Sequence, residues 1–284
     1  MNKSLLKEEE VMKKQEISFL EEKCKEVRRL ILKEIHSIGK GHYGGSLSIV
    51  EALVLLYNKE MNINVENPKM EGRDRLVLSK GHAGPALYAV LADKGYISKE
   101  ELLTLNKGNT NLPSHCDMNK TNGVDMTTGS LGQGISCAVG MAKASKIKKD
   151  NAYIYCIVGD GECDEGEVWE AALAASSFNL NNLIVFVDYN KMQLDGKLED
   201  IIRMDNMDKK WEAFGFFVQN IKNGHDIEEI HEAIEKGKKQ DKPVAIILNT
   251  VKGKGISLIE SAGYKNHSMG LTDEQFKKAL EELK

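Results

Sequence analysis

Apolar residues recur along the chain in two periods, and the alternation between them predicts the elements. From Ile17 to Ile38 they fall at Ile17, Leu20, Cys24, Val27, Leu30, Ile31, Ile35 and Ile38, the spacing of one helix face. That helix stops at Gly39-Lys40-Gly41, and a second apolar helix is expected over about Ile49 to Tyr57. Short unbroken apolar runs mark strands: within RDRLVLSKGHAG (73–84), at Tyr153 to Val158, at Leu183 to Val187, at the end of WEAFGFFV (211–218), and in PVAIILNT (243–250). Helical spacing lies between them, over Pro85 to Asp93, from the glycine loop at 123–134 to about Lys146, from about Glu167 to Phe178, and over Asp226 to Gln240, where Asp226 suits an N-cap. A short amphipathic helix is expected at 272–284. Strands alternating with helices predict an α/β fold, a parallel central sheet flanked by helices. Residues 1–16 read as a charged extension and 17–284 as a single domain, with no repeat or low-complexity tract inside it.

The stretch from Ile154 to Gly196 reads strand, turn, helix, strand, the pattern of a parallel βαβ unit. Asp160 and Asn190 then lie at the carboxyl ends of neighbouring strands, the edge where open parallel sheets bind ligands. A carboxylate and an amide carbonyl are hard oxygen ligands, suited to Mg²⁺ or Ca²⁺ completed by water and phosphate. Gly159 and Gly161 let the backbone approach a bulky anion, and the following helix offers the positive end of its dipole. The plainer alternative is an acidic turn of an ordinary α/β protein. Farther up the chain, His42 sits on a glycine-rich turn between helices, where a histidine is in most proteins incidental, His82 is glycine-flanked at a helix start, and His115 lies in Leu112-Pro113-Ser114-His115-Cys116-Asp117.

Gly159-Asp160-Gly161, followed thirty residues on by Asn190, resembles the thiamine-diphosphate signature. GDGECDEGEVWEAA and DYNKMQLDG resemble the transketolase family in particular. Further motifs match in order: His42-Tyr43-Gly44-Gly45, RDRLVLSKGHAG, Pro113-Ser114-His115-Cys116-Asp117, GVDMTTGSLGQG, and Lys252-Gly-Lys-Gly255 followed by His267. The resemblance implies the thiamine-diphosphate-binding fold, diphosphate domain, with thiamine diphosphate and Mg²⁺ or Ca²⁺ as cofactors. It implies Asp160, Asn190 and the Met192 carbonyl as metal ligands, and Gly159, Gly161, His82 and His267 at the cofactor. Gly129, Ser130 and Leu131 would meet its aminopyrimidine side. His42 and His115 would face the substrate, Glu165 would be a subunit-contact carboxylate near the cofactor, and Glu170 would sustain that network. The chain departs from the family pattern at Tyr43 and Cys116, where proline is usual, and at Ser114 and Ser268, where glycine is usual. It also lacks the tryptophan usual before His267.

Composition narrows the class. At 41% hydrophobic, 29% charged and net charge −4 over 284 residues, the chain reads as one large soluble domain, with no sign of nucleic-acid binding and no run long enough to span a membrane. The N-terminus is too charged for a secretory signal. Five scattered cysteines without C-x-x-C spacing point to a reducing cytoplasm, and Cys163 beside the turn reads as a space-filler. Thiamine chemistry needs a carbanion at the thiazolium carbon, and hence a carboxylate on the pyrimidine ring. In full-length transketolases that glutamate, like the arginines for sugar phosphate, lies in a later pyrimidine-binding domain. The chain is therefore expected to be the N-terminal subunit of a split transketolase, working on sugar phosphates with a separate C-terminal subunit in a two-fold heterotetramer, a homodimer of heterodimers. The expected docking surface is an apolar patch around 41–46 and 129–134. Two alternatives stay open: a thiamine enzyme of different substrate, such as a deoxyxylulose-phosphate synthase relative, and a non-catalytic cofactor-binding subunit.

Overall fold

The structure is a computed structural model describing residues 12–284. Residues 1–11 of the expected extension lie outside that range, while residues 14–16 already belong to the first helix. Five strands form one parallel sheet: β1 (Arg75–Leu78), β2 (Ile154–Gly159), β3 (Leu183–Tyr189), β4 (Phe217–Ile221) and β5 (Val244–Asn249), in the order β1-β2-β3-β5-β4. Pairing Ile154 with Leu183 and Gly159 with Asp188 brings the ends of β2 and β3 level.

Period-two alternation divides the strands between two cores. Tyr155, Ile157, Ile184, Phe186, Ile246 and Leu248 face one layer, and Ile154, Cys156, Val158, Val185, Val187 and Ile247 the other. Both faces are therefore covered, which explains the unbroken apolar runs. The first layer is built by α1 (Lys14–His36), α2 (Tyr43–Leu47), α3 (Val50–Leu55), α4 (Gly84–Lys94) and the Ile227–Lys238 helix. Helix α3 runs on into a π-turn at Leu56–Glu60, so the second apolar helix ends three residues beyond the expected Tyr57. The other layer holds α5 (Gln133–Lys148) and α6 (Gly166–Ser177), the crossovers before and after β2. The Asp226 carboxylate caps the Ile227–Lys238 helix at the amides of Glu228 and Glu229, as expected.

A 3₁₀ turn, Gly161–Asp164, lies between the Asp160 turn and α6, because the Cys163 amide bonds back to the Asp160 carbonyl; α6 starts at Gly166, one residue before the expected Glu167. One expectation changes: the 41–46 part of the apolar patch is absent, since Tyr43 to Ser46 fold into α2 and are buried. Large exposed apolar side chains lie elsewhere, among them Leu173 and Phe178 by α6 and Leu194, Ile201 and Ile202 beyond β3.

The first turn of α5 leans directly on the end of β1: a Cβ at Gly134 would lie 2.6 Å from the Ser79 Cα. We expect Gly134→Ala to cost about 1–3 kcal/mol by overpacking, seen as a melting temperature lowered by several degrees. An unchanged melting temperature would show that α5 can slide off β1.

Candidate active site

The carboxyl ends of the strands converge on one cleft of about 240 Å³. At its base Lys80, just past β1, donates to the Asp188 carboxylate of β3 at 2.6 Å and to the Gly45 carbonyl at 2.7 Å. Asp188 also accepts from Ser48 (2.7 Å), the Asn190 amide (2.9 Å) and Thr250. Burial alone would raise this carboxyl, but Lys80 and the hydroxyls of Thr250 and Ser48 hold it below the ordinary range. Buried Glu162 is the second hub. It accepts from the Ser79 hydroxyl and from the amides of Gly132 (2.9 Å) and Gly159 (3.0 Å). Gly132 donates from a φ of +86, a conformation that favours glycine.

Asp160 and Asn190 stand where the sequence places them. Asp160 accepts from the amides of Gly161 (2.8 Å) and Lys191, the latter a residue held at φ +65. Burial, with the charge of Asp188, pushes its carboxyl up to about 7, against the pull of those two amides and Lys252. Asn190 gives its NH₂ to Asp188, which leaves Oδ1 as its acceptor end. The Met192 carbonyl accepts from the Lys252 ammonium at 3.2 Å. Burial brings that ammonium down to about 8, although Asp160 and Asp188 favour its charge. The site thus carries a carboxylate that no side chain neutralises by direct contact, an oriented amide oxygen, and a carbonyl already attracting a positive group. That donor set fits a hard divalent ion completed by phosphate oxygens. No cluster of three His, Cys, Asp or Glu able to hold a metal occurs among the described residues.

Four imidazoles line the same cleft. His42 lies 5.5 Å from His82, 6.1 Å from His115 and 5.2 Å from His267, ring centre to ring centre, and His82 lies 4.9 Å from His267. Burial, then the neighbouring cations, lowers three of them: His42 moderately, His82 well below the usual range, and His267 to about 4. In these three rings the charged form is disfavoured, and the neutral imidazole can accept as well as donate a proton.

Of the expected residues, His42, His82, His115, His267, Gly129, Leu131, Gly159, Asp160, Gly161, Asn190 and Met192 line the cleft. Ser130 and Glu165 do not. Both are exposed, Glu165 as the N-cap of α6 with Glu170 exposed on the same helix. No residue of α6 lines the cleft, so the backbone facing an anion is the 159–162 turn rather than a helix end. Cys163 is buried and its thiol is pushed far up by burial, which suits a space-filler. Sequence reading missed Lys80, Asp188 and Glu162, and did not single out Lys252. Each sits inside a quoted motif, next to a histidine, glycine or asparagine that drew the attention.

A family model described as the thiamine diphosphate binding domain of transketolase matches residues 20–283. The chain belongs to the transketolase family. It is 53% identical over 273 residues to a 6-deoxy-6-sulfo-D-fructose transketolase subunit of Clostridium sp. (strain MSTE9), covering 96% of this chain and 98% of that one. It is 42% identical to one of the subunits of the apulose-4-phosphate transketolase of Actinobacillus succinogenes, covering 93% and 96%. The solved transketolase of Campylobacter jejuni superposes with a TM-score of 0.87 at 36% identity, covering 94% of this chain but 43% of that one. The chain therefore spans nearly the full length of the transketolase subunits and less than half of the solved transketolase. Among the described residues no helix is long and apolar enough to cross a membrane.

The imidazoles make stability depend on acid. A histidine in the unfolded chain titrates near 6.5, whereas His267 titrates at about 4 when folded. Between those values the unfolded chain binds more protons, so stability is present above about 6.5 and is lost as pH falls toward 4. We expect the melting temperature of the unliganded protein to drop across that window, and His267→Asn to flatten the drop. An identical slope in the variant would mean that His267 is not held neutral.

Proposed function

We propose that this chain is the N-terminal subunit of a split transketolase, binding the diphosphate of thiamine diphosphate through Mg²⁺ or Ca²⁺ and transferring a two-carbon ketol unit between sugar phosphates. The observation that carries this reading is the meeting, at one sheet edge, of the Asp160 and Asn190 oxygens with four imidazoles. Asp160, Asn190 Oδ1 and the Met192 carbonyl would hold the cation. Gly159, Gly161, His82 and His267 would receive the diphosphate end, with Lys252 adding positive charge, and Gly129, Ser130 and Leu131 would meet the aminopyrimidine side. When bound, thiamine diphosphate supplies the electron sink for breaking the bond beside a ketose carbonyl. His42 and His115 would hold the substrate hydroxyls and move their protons, since positioned groups of this kind contribute about 10²–10⁴ in rate.

The remaining half of the site would come from a C-terminal subunit with a pyrimidine-binding domain, in a homodimer of heterodimers. The near-complete match to proteins named as subunits supports this. Exposed Glu165 would then meet another chain near the cofactor, with Glu170 behind it. Five free cysteines suit a reducing cytoplasm. A second reading of the substrate, a ketose ending in a sulfonate, is favoured by the 53% identity to a 6-deoxy-6-sulfo-D-fructose transketolase subunit.

Calorimetry tests the clamp: Asp160→Ala should abolish cation-dependent binding of thiamine diphosphate, and unchanged affinity would remove the metal assignment. Assays with and without the partner test the division of labour. The chain alone, given cofactor, metal and a ketose phosphate, should show no ketol transfer until the partner is added, and robust activity from the single chain would overturn the split reading. In the assembled complex, His42→Ala and His115→Ala should each lower turnover by about 10² or more. A loss below tenfold in both would exclude their substrate-facing role.

A further inference from the structure

Three segments that carry cleft side chains meet at one buried amide. Asn266, wholly buried, immediately precedes His267 on the Gly263–His267 turn. Its NH₂ donates to the Lys252 carbonyl and to the Ile259 carbonyl, each at 2.9 Å. Two acceptors on that side fix which end of the amide is the nitrogen. The oxygen end lies against α2: a Cβ at Gly44 would stand 2.0 Å from Asn266 Oδ1. Gly253, the next residue of the Lys252 turn, sits at φ +90 and donates its amide to the Gly44 carbonyl at 3.0 Å. A Cβ there would lie 2.9 Å from Asn266 Nδ2. The side chain therefore interlocks with two glycines that leave no room for a larger residue. His42 lies two residues before Gly44, and His42, Lys252 and His267 all line the cleft. The transketolase pattern has tryptophan before His267. An indole has one N–H to give where this amide has two, so the paired bonds to Lys252 and Ile259 come with this departure from the pattern.

We propose that Asn266 is a positioning residue: it sets the Lys252 turn and His267 against α2, at the spacing that a bound diphosphate requires. The proposal rests on the diphosphate-binding reading. Asn266 does not line the cleft, and its effect passes through the Lys252 ammonium and the His267 ring. Without its amide the Lys252 and Ile259 carbonyls lose a donor. The tie between the Lys252 turn and α2 is then reduced to the Gly253–Gly44 bond.

The test compares Asn266→Ala with the unaltered chain by hydrogen exchange and calorimetry. Without ligand, residues 251–255 should exchange about tenfold faster, the size expected for two lost hydrogen bonds, while β2 exchanges as before. Titrated with inorganic pyrophosphate and Mg²⁺, the variant should bind about tenfold more weakly. In the complex of both subunits, turnover at saturating thiamine diphosphate should fall by less than about threefold. A residue with only a structural role would reduce the amount of active protein, and so turnover, at unchanged affinity. Unchanged affinity, or a 251–255 segment that exchanges as slowly as before, overturns the proposal. If neither chain binds pyrophosphate while the segment still loosens, the tie between the Lys252 turn and α2 stands and the diphosphate-binding reading alone fails. Should Asn266→Ala not fold, Asn266→Asp keeps the shape without the paired donors and is read in the same way.

Discussion

The buried pair of Lys80 and Asp188, with side chains 1% and 0% exposed and 2.6 Å apart, holds the cleft together. Removing two charges from water costs on the order of several kcal/mol per ion, and one ion pair rarely offsets it. Here the remaining valences are filled by Gly45, Ser48, Asn190 and Thr250. Those partners come from α2, from the turn after it, and from the ends of β3 and β5. The pair is therefore favourable only when these segments are assembled, and assembling them builds the floor of the cleft. It also turns the Asn190 amide, fixing Oδ1 as its accepting end, where it already takes the Met192 amide at 3.1 Å.

The same arrangement sets the electrostatics. Burial with little direct compensation raises Asp160 and lowers Lys252 and three of the imidazoles. All these groups are pushed toward neutrality, the cheapest state for a buried site that has yet to receive charges. A divalent cation beside Asp160 and an anion among the lysines and imidazoles would each favour the ionised forms. The site is therefore suited to taking up the two together.

The loop that carries Lys252 is placed by groups outside the cleft. Buried Arg28 binds the Lys254 carbonyl at 2.9 Å and the Glu51 carboxylate at 2.6 Å, while Glu51 meets His225 Nδ1 at 3.0 Å. His225 Nε2 accepts from the Val251 amide at 2.8 Å, so the ring proton lies on Nδ1 and points to Glu51. Helices α1 and α3 thereby grip both sides of the Lys252 turn. A positive charge in a half-buried cleft needs this restraint, because a free lysine stem would swing to water.

The order of elements was determined by sequence alone, since apolar periodicity depends on burial of each segment and needs no partner. The runs at 154–158, 183–187 and 244–249 became strands, and Asp226 became a cap, because these are local choices. Asp160, Asn190 and the four histidines were legible because family motifs contain them, most of them beside glycine turns. Tertiary structure decided the rest. Lys80, Asp188 and Glu162 acquire their roles mainly through partners dozens of residues away, and no local pattern marks a lysine as buried. The 3₁₀ turn after Asp160 and the burial of Tyr43 to Ser46 likewise depend on packing. So does the burial of Asn266 between the Lys252 turn and α2: in the sequence it is one departure from a motif, and only the fold gives it those neighbours.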